Sequence, residues 1–209
     1  MTFDDNVFIN CPYDAEYLPL LRPLVFTVLY AGLNLRLASE RLNSGETRIS
    51  KIVELIRESR YAIHDLSRIQ AARKGEYFRL NMPFELGLDV GCATFSSDHH
   101  LREKRCLILE KERYRYQIAI SDLSSSDIYA HQNDPFRVVQ VVRSWLENEI
   151  GRKLLGPSGL YDLFSVFMGE NYDRLMASGF TKDDIRELQI AELMRHMREW
   201  LAARTPNGA

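Results

Sequence analysis

The sequence lacks an excess of positive charge: 27 Lys and Arg stand against 29 Asp and Glu among 209 residues, for a net charge of -2. A protein whose main partner is a phosphate backbone needs a Lys or Arg for each phosphate contact. No basic tail is hidden in the total, because the chain from Gly151 onward carries eight basic and eight acidic residues. We therefore do not expect nucleic acid as a partner.

Cysteine is also scarce, with three residues scattered along the chain at Cys11, Cys92 and Cys106. An odd and widely spaced set is not a disulfide framework, and no CxxC pair indicates zinc. The His99-His100 pair has no acid or cysteine at metal-ligand spacing beside it. We expect no bound metal, and we interpret the cysteines as small core residues.

The sequence has no apolar run long enough to span a membrane. The longest, from Leu18 to Leu35, is interrupted by prolines and polar residues. The amino terminus carries two early acids and lacks the basic and apolar regions of a secretion signal, so we expect a cytoplasmic protein without a membrane partner. A Gly-rich P-loop and a GxGxxG motif are absent as well.

What the sequence does contain is an alternation of strand-like and helix-like segments. Helical patterns separate the first four of five short apolar runs, and a loop precedes the fifth. The runs are Val7 to Cys11, Leu33 to Ala38, Tyr61 to Asp65, Lys104 to Glu110 and Ile128 to Ala130. Such alternation predicts an α/β fold with a parallel sheet covered on both faces. Right-handed crossovers then give a doubly wound, flavodoxin-like sheet of about five strands.

The chain divides near Gly156-Pro157-Ser158. Residues 1–155 form the predicted α/β domain, and residues 156–209 form a C-terminal helical extension. Within the extension we predict helices from Leu160 to Met176 and from Lys182 to Ala203, the second opened by a capping box at Thr181. Their apolar sides are free either to pack on the sheet or to form an interface.

Ligands of a doubly wound sheet bind outside the carboxyl ends of its strands. The segments that follow the predicted strands, or that lead into the next helix, bring several charged and polar side chains to this edge. They are Asp14, Arg41, Asp65, Ser67, Arg68, Arg79, Asn81 and Glu85.

Two carboxylates in this set have the chemistry for cleavage of a glycosidic bond, in which one faces the cationic sugar and the other handles protons. Pro83 suits the first position of a helix, which places Glu85 in the first turn, where the helix dipole keeps it ionised. An ionised Glu85 is a candidate nucleophile, and Asp65 could grip a ribose hydroxyl. The alternatives are a helix-capping role for Glu85 and a turn role for Asp65.

Other polar and small residues have structural interpretations. Alternation along the third strand turns His64 to the face opposite Asp65, where we expect a packed histidine. His131 follows the fifth strand and either reaches the edge or lies in a turn. Gly87 and Gly91 suggest close packing of the third helix on the sheet.

Two motifs resemble known families. Val7 to Tyr17, with Asn10-Cys11 in place of a Ser-Tyr pair, is similar to the opening strand and loop of TIR-type domains. Ile63 to Ser67, followed after a loop by Asn81-Met82-Pro83-Phe84-Glu85-Leu86-Gly87, resembles nucleoside 2-deoxyribosyltransferases. The resemblance covers roughly residues 5 to 150, and both families share a flavodoxin-like architecture.

The resemblance implies that Glu85 is the nucleophile at the sugar anomeric carbon and that Asp65 binds the nucleoside and handles the proton. The motifs and the strand-end segments together give the substrate-binding candidates: Cys11, Tyr13, Asp14, Arg41, Ser67, Arg79, Asn81 and Met82. The transferases carry Asp-Ser-Gly-Thr or a similar run before the Glu, and this chain departs from it. We expect an N-glycosidase acting on NAD or a related nucleotide, which is substrate rather than cofactor.

The resemblance also implies a bacterial anti-phage effector that works as a homo-oligomer or with a defence partner. The alternative is a non-catalytic TIR-like module that binds a nucleotide or assembles with copies of itself. A phosphoacceptor receiver domain fits less well. Its acidic pair should follow the first strand, whereas Asp4 and Asp5 precede it, and no Lys follows the fifth strand closely.

Overall fold

The computed structural model describes residues 2–38, 45, 47–69, 80–118, 120–123 and 127–204. Five strands form one parallel sheet in the order β2-β1-β3-β4-β5, which confirms the predicted fold class. The strands are β1 (Asn6–Asn10), β2 (Asn34–Arg36), β3 (Tyr61–Asp65), β4 (Arg105–Glu110) and β5 (Ile128–Ala130).

Helices cover both faces of the sheet. They are α1 (Leu18–Tyr30), α2 (Arg48–Arg57), α3 (Asn81–Phe95), α4 (His99–Arg102) and α5 (Pro135–Ile150). Helix α5 is defined at both ends, because Asp134 caps its first turn and Gly151 ends it in the left-handed conformation. His99 and His100 lie in the short helix α4.

Alternation along β1 and β3 divides the core between the two faces. Every residue of both strands is buried. Val7, Ile9 and Ile63 belong to the core that contains apolar residues of α1 and α5, whereas Phe8 and Ala62 pack with α2. The two central strands are therefore apolar throughout, as expected for a parallel sheet covered on both sides.

Three further helices follow: α6 (Pro157–Ala177), α7 (Lys182–Arg186) and α8 (Ile190–Arg204). The long second helix predicted for this region is thus two helices, although the predicted capping box at Thr181 is present. Phe26 of α1 stacks on Phe167 of α6, with ring centroids 5.7 Å apart, and lies 6.0 Å from Trp200 of α8. The extension packs on the helix layer formed by α1 and α5 and shares its core.

Two expectations about α3 are corrected. The helix begins at Asn81, ahead of Pro83, so Glu85 lies in its second turn. A side chain added at Gly87 would meet nothing within 4 Å, and one at Gly91 would touch only the ring of Phe95, at 3.9 Å. The glycines therefore face outward and do not mediate close packing on the sheet.

Among the described residues, no helix is both long enough and apolar enough to cross a membrane.

Candidate functional site

Asp65 ends β3 at the carboxyl edge of the sheet, and its side chain is completely buried. The hydroxyl of Tyr17 donates to its Oδ2 over 2.5 Å, and the backbone N–H of Ser67 donates to Oδ1 over 2.8 Å. Tyr17 is the residue before α1, and the turn that follows β1 brings its hydroxyl to Asp65 at the carboxyl edge of the sheet. Both carboxylate oxygens therefore have partners within the protein.

His131, directly after β5, completes this group. Its Nε2 lies 3.1 Å from Asp65 Oδ2, in a contact that is not ideally aligned for a hydrogen bond. Its Nδ1 accepts the backbone N–H of Asn133 over 3.0 Å, which assigns the ring proton to Nε2, facing the carboxylate. Of the two positions that the sequence left open for His131, the structure has the one at the edge.

The pKa of Asp65 reflects these contacts. Burial by itself raises the pKa of a carboxyl group, but contact with His131 and the hydrogen bonds from Ser67 and Tyr17 outweigh it and hold the pKa of Asp65 below its usual range. Asp65 is therefore an ionised carboxylate at neutral pH, held inside the protein.

Glu85 presents the opposite case. It is buried to 4% exposure, and within the described part of the chain the nearest cation is Arg48 of α2, whose Nη2 lies 3.8 Å from Oε1. Burial raises the pKa of Glu85 to about 7, and Arg48 lowers it only in part. The expectation of a helix-dipole-stabilised anion is wrong, because Glu85 lies in the second turn of α3 and the helix dipole does not offset the burial of its carboxyl group.

Cys11 links the two carboxyl groups electrostatically. It follows β1 and is buried at 1% exposure. Burial raises the pKa of its thiol, and the charges of Asp65, Glu85 and Asp14 raise it further. All three acids therefore lie within electrostatic range of one buried point at the carboxyl edge, as the strand-end argument predicted.

A second buried network lies on the α3 face. Asn10 Nδ2 donates to the carbonyl of Met82 over 2.8 Å and lies 2.9 Å from His64 Nδ1. The carbonyl requires the amide nitrogen of Asn10 at that position, so His64 Nδ1 is the acceptor and its proton is on Nε2, 3.1 Å from Asp89 Oδ2. His64 is thus the packed histidine that alternation predicted, and Asn10 ties β1 to the first turn of α3.

Lys104 closes this network. Its ammonium lies 3.0 Å from Asp89 Oδ1 and donates to the carbonyls of Ile56 and Ser59 at the end of α2. His64, Asp89 and Cys106 have ligand atoms within 4.8 Å of one another, a spacing that a metal ion could use. The buried ammonium already supplies positive charge to Asp89, so the geometry fits an internal ion pair better than a metal centre.

A cleft of about 450 Å³ opens at the carboxyl edge on the α1 side. Ser67 and Tyr17 line it, and Arg68, Lys111 and Arg115 bring cations to its wall. These cations have acidic partners: Arg68 pairs with Asp14 and Glu16, and Arg115 pairs with Glu110. We call Asp65, Tyr17, Ser67 and His131 the Asp65 group. Two of its members, Tyr17 and Ser67, line the cleft, whereas Glu85 does not.

The remaining predicted substrate-binding residues are placed as follows. Tyr13 is partly exposed, and its hydroxyl donates to the carbonyl of Ile9 over 3.2 Å. Asn81 is exposed at the start of α3, whereas Met82 is buried in an apolar cluster with Leu66 and Ile69. Their substrate-binding roles stay predictions. Arg41 and Arg79 lie outside the described residues.

Sequence reasoning assigned Tyr17 no role and gave His131 no partner. Both belong to the Asp65 group, and both follow or precede a predicted element by a few residues. Their positions in the sequence could have indicated this. A polar side chain just after a parallel strand, or just before a helix that starts at the carboxyl edge of the sheet, can reach that edge.

Comparison of the chain with protein-family models, with curated proteins and with solved structures found no match. The resemblance to TIR-type domains and to nucleoside 2-deoxyribosyltransferases therefore rests on the short motifs alone.

Proposed function

We propose that this protein is an N-glycosidase that cleaves the bond between base and ribose in NAD or a related nucleotide. The observation that carries the proposal is the pair of buried carboxyl groups at one sheet edge whose pKa values are shifted in opposite directions. Pairs of titratable groups with divergent pKa values are typical of acid–base catalysis.

In this proposal Glu85 is the reacting group. When the base is neutral, the acid form of Glu85 gives a proton to it while the bond between the anomeric carbon and the base nitrogen breaks. The nicotinamide ring of NAD is already cationic and departs with the electron pair of that bond, so it takes no proton and Glu85 reacts as the carboxylate. In either case the carboxylate faces the positive charge that develops on the ribose, and water then adds to the anomeric carbon and gives a proton to Glu85. A pKa of about 7 leaves both forms of Glu85 available at neutral pH.

Asp65 has a different role from the one that the resemblance implies. Since both of its oxygens accept hydrogen bonds from Tyr17 and Ser67, it acts as a fixed negative charge that orders the start of α1 and the turn after β3. Its charge favours the cationic transition state at a distance and raises the pKa of its neighbours.

The test is a chromatographic assay of purified protein with NAD and a panel of nucleosides and nucleotides, at high protein concentration. We expect release of nicotinamide or of a free base by the wild type and a loss of at least about 100-fold with Glu85→Gln, since general acid–base catalysis contributes 10²–10⁴-fold. Glu187→Gln is the matched control, because Glu187 is an exposed glutamate on the far helical layer.

A turnover that Glu85→Gln leaves unchanged contradicts the assignment of Glu85. If neither protein turns over any member of the panel but both bind a nucleotide equally in calorimetry, the second candidate replaces the first. That candidate is a non-catalytic nucleotide-binding module, and the complete burial of Asp65 is the observation that favours it.

A further inference from the structure

A second and larger cleft, of about 840 Å³, lies at the β5 side of the sheet, and its lining includes neither Asp65 nor Glu85. Four consecutive residues line it, Asp127 and the three residues of β5. The other walls come from the segment before β5 and from the first half of α5. They include Arg113, Tyr114, Tyr116, Arg137, Gln140 and Val141.

The lining shows which way the cleft opens. Ile128 packs against the apolar cluster that contains Tyr116, on the α3 face of the sheet. Tyr129 alternates to the other face, on the side of α5, and the residue is 47% exposed. Because residues from both faces line one cleft, the cleft straddles the free edge of β5.

β5 is the last strand of the sheet, so only one of its sides pairs with β4. Just beyond the strand, the N–H of His131 donates to the carbonyl of Glu110 in β4. Backbone groups alternate in direction along a strand, so those of Tyr129 also face β4 and those of Ile128 and Ala130 face the cleft. In the part of the chain that the structure describes, no further strand pairs with them.

Two arginines and one aspartate are the charged residues that line the cleft. Arg113 has no acidic partner in the described part of the chain. Arg137 lies 3.7 Å from Asp134 in an ion pair whose two side chains are about half exposed. Asp127 is the acid among the lining residues, against these two arginines. Among the described lining residues, Arg113 is thus the arginine that an acidic group of an occupant can pair with without displacing an acid of this chain.

We propose that the β5 edge is a docking site for an extended acidic segment of a partner protein, which adds to the sheet as a sixth strand. Its backbone pairs with the outward groups of Ile128 and Ala130, and its acidic side chains meet Arg113 and Arg137. Strand addition of this kind takes its affinity from main-chain hydrogen bonds and its selectivity from alternate side chains.

A nucleotide is the other occupant that tyrosines and arginines could accept. The strand is favoured because four successive residues of a sheet edge line the cleft, which offers backbone pairing over roughly 13 Å. A stacking site would need only one or two of these positions. The proposal does not depend on the glycosidase activity.

The test is selection of acidic peptides from a displayed library of random octapeptides on the full-length protein, followed by affinity measurement of the selected peptide. We expect Ala130→Pro, which removes one outward N–H and leaves pairing with β4 intact, to weaken binding at least about tenfold. Joint replacement of Arg113 and Arg137 by Glu should weaken it about a hundredfold. Arg195→Glu, on an exposed turn of α8, should change nothing.

A set of peptides with backbone N-methyl groups at alternate residues tests strand addition without touching the protein. Methylation in one register should abolish binding, and methylation in the other should spare it. Equal binding of both registers, or selection of no acidic peptide, overturns the proposal. Binding of ATP or of a thymidine decamer that only the double Glu variant loses would assign the cleft to a nucleotide instead.

Discussion

Two buried carboxyl groups at the same sheet edge differ in the number of hydrogen bonds that they accept. Asp65 accepts from Tyr17 and Ser67 and touches His131, and its pKa is lowered although it is completely buried. Glu85 has Arg48 at 3.8 Å as its nearest described cation, and burial raises its pKa to about 7. Burial therefore determines the direction of the pKa shift only where hydrogen bonds to the carboxylate do not oppose it.

The difference separates a structural charge from a reactive one. A carboxylate with all its oxygens occupied is rigid and holds three segments of the chain together. A carboxyl group without such partners changes its protonation state near neutral pH, which a proton-transfer step requires. The comparison therefore points to Glu85 as the group to test for chemistry and to Asp65 as the group to test for stability.

The largest effect is expected for Asp65→Asn. The amide offers one acceptor oxygen and one NH₂ group to Tyr17, Ser67 and His131, all of which present donors, so buried groups are left unpaired. We expect a loss of about 3 kcal/mol in the free energy of unfolding at pH 7, measured with urea. Asp173→Asn, at an exposed position of α6, should change it by less than about 0.5 kcal/mol.

A loss below about 1 kcal/mol for Asp65→Asn would mean that the donors find other partners, and the contrast with Glu85 would then disappear.

Glu85→Gln should increase the free energy of unfolding at neutral pH, whereas Asp65→Asn should decrease it. The folded-state pKa of about 7 exceeds the ordinary value of 4.5, so the folded protein keeps a proton that the unfolded chain has released. The free energy of unfolding of the wild type therefore falls by at most about 3 kcal/mol as pH rises from about 4.5 to about 7. The Glu85→Gln variant has no carboxyl group at this position and does not show this fall. The advantage of Glu85→Gln should grow from near zero at pH 4.5 to its full size at pH 8.

Urea unfolding of both proteins between pH 4.5 and pH 8 measures the difference between their free energies of unfolding. The contributions of all other titrating groups cancel in this difference, because both proteins contain them. A variant that is less stable than the wild type at pH 8 would show that the ionised carboxylate has a partner which compensates its burial.

The sequence predicted the fold well and the site in part, for physical reasons that particular residues illustrate. Apolar runs such as β1 and β3 are buried on both faces, so the sequence predicts these strands without ambiguity. Because ligands of such a sheet bind at the carboxyl ends of its strands, the sequence also placed Asp65 and Glu85 at one edge. The protonation of Glu85 was predicted wrongly because it depends on what covers the side chain. Tyr17 was missed because its contact with Asp65 joins residues 48 positions apart.

The outward glycines of α3 show the same limit. Spacing alone cannot tell whether a small residue faces the sheet or solvent, because α3 has apolar residues on several sides. The buried positions Met82, Glu85, Leu86 and Asp89 define its inner face, and two of these four are acidic. A pattern that counts apolar residues therefore orients this helix incorrectly.

Tyr17→Phe removes one of the hydrogen bonds to Asp65 and leaves the others. We expect a loss of about 1.5–3 kcal/mol, since the acceptor is charged, and a rise in the pKa of Asp65. A lowered folded-state pKa contributes stability above the unfolded value that is lost as pH falls. The variant should therefore unfold at a higher pH than the wild type during acid titration, followed by tyrosine fluorescence or circular dichroism. Tyr172→Phe, on α6, is the matched control, and an unchanged acid transition in Tyr17→Phe would remove Tyr17 from the Asp65 group.

The smallest effect concerns the outer side of the helix that buries Glu85. A methyl group at Gly87 meets no atom within 4 Å, so Gly87→Ala gains helix propensity without a steric cost, and we expect about 0.5–1 kcal/mol of added stability. Thermal and urea unfolding at pH 7 measure it. Because the change is on the outer side, the pH dependence attributed to Glu85 should be preserved. If Gly87→Ala destabilises the protein instead, α3 approaches other backbone at Gly87, and the assignment of inner and outer sides on which the Glu85 argument depends would have to be reversed.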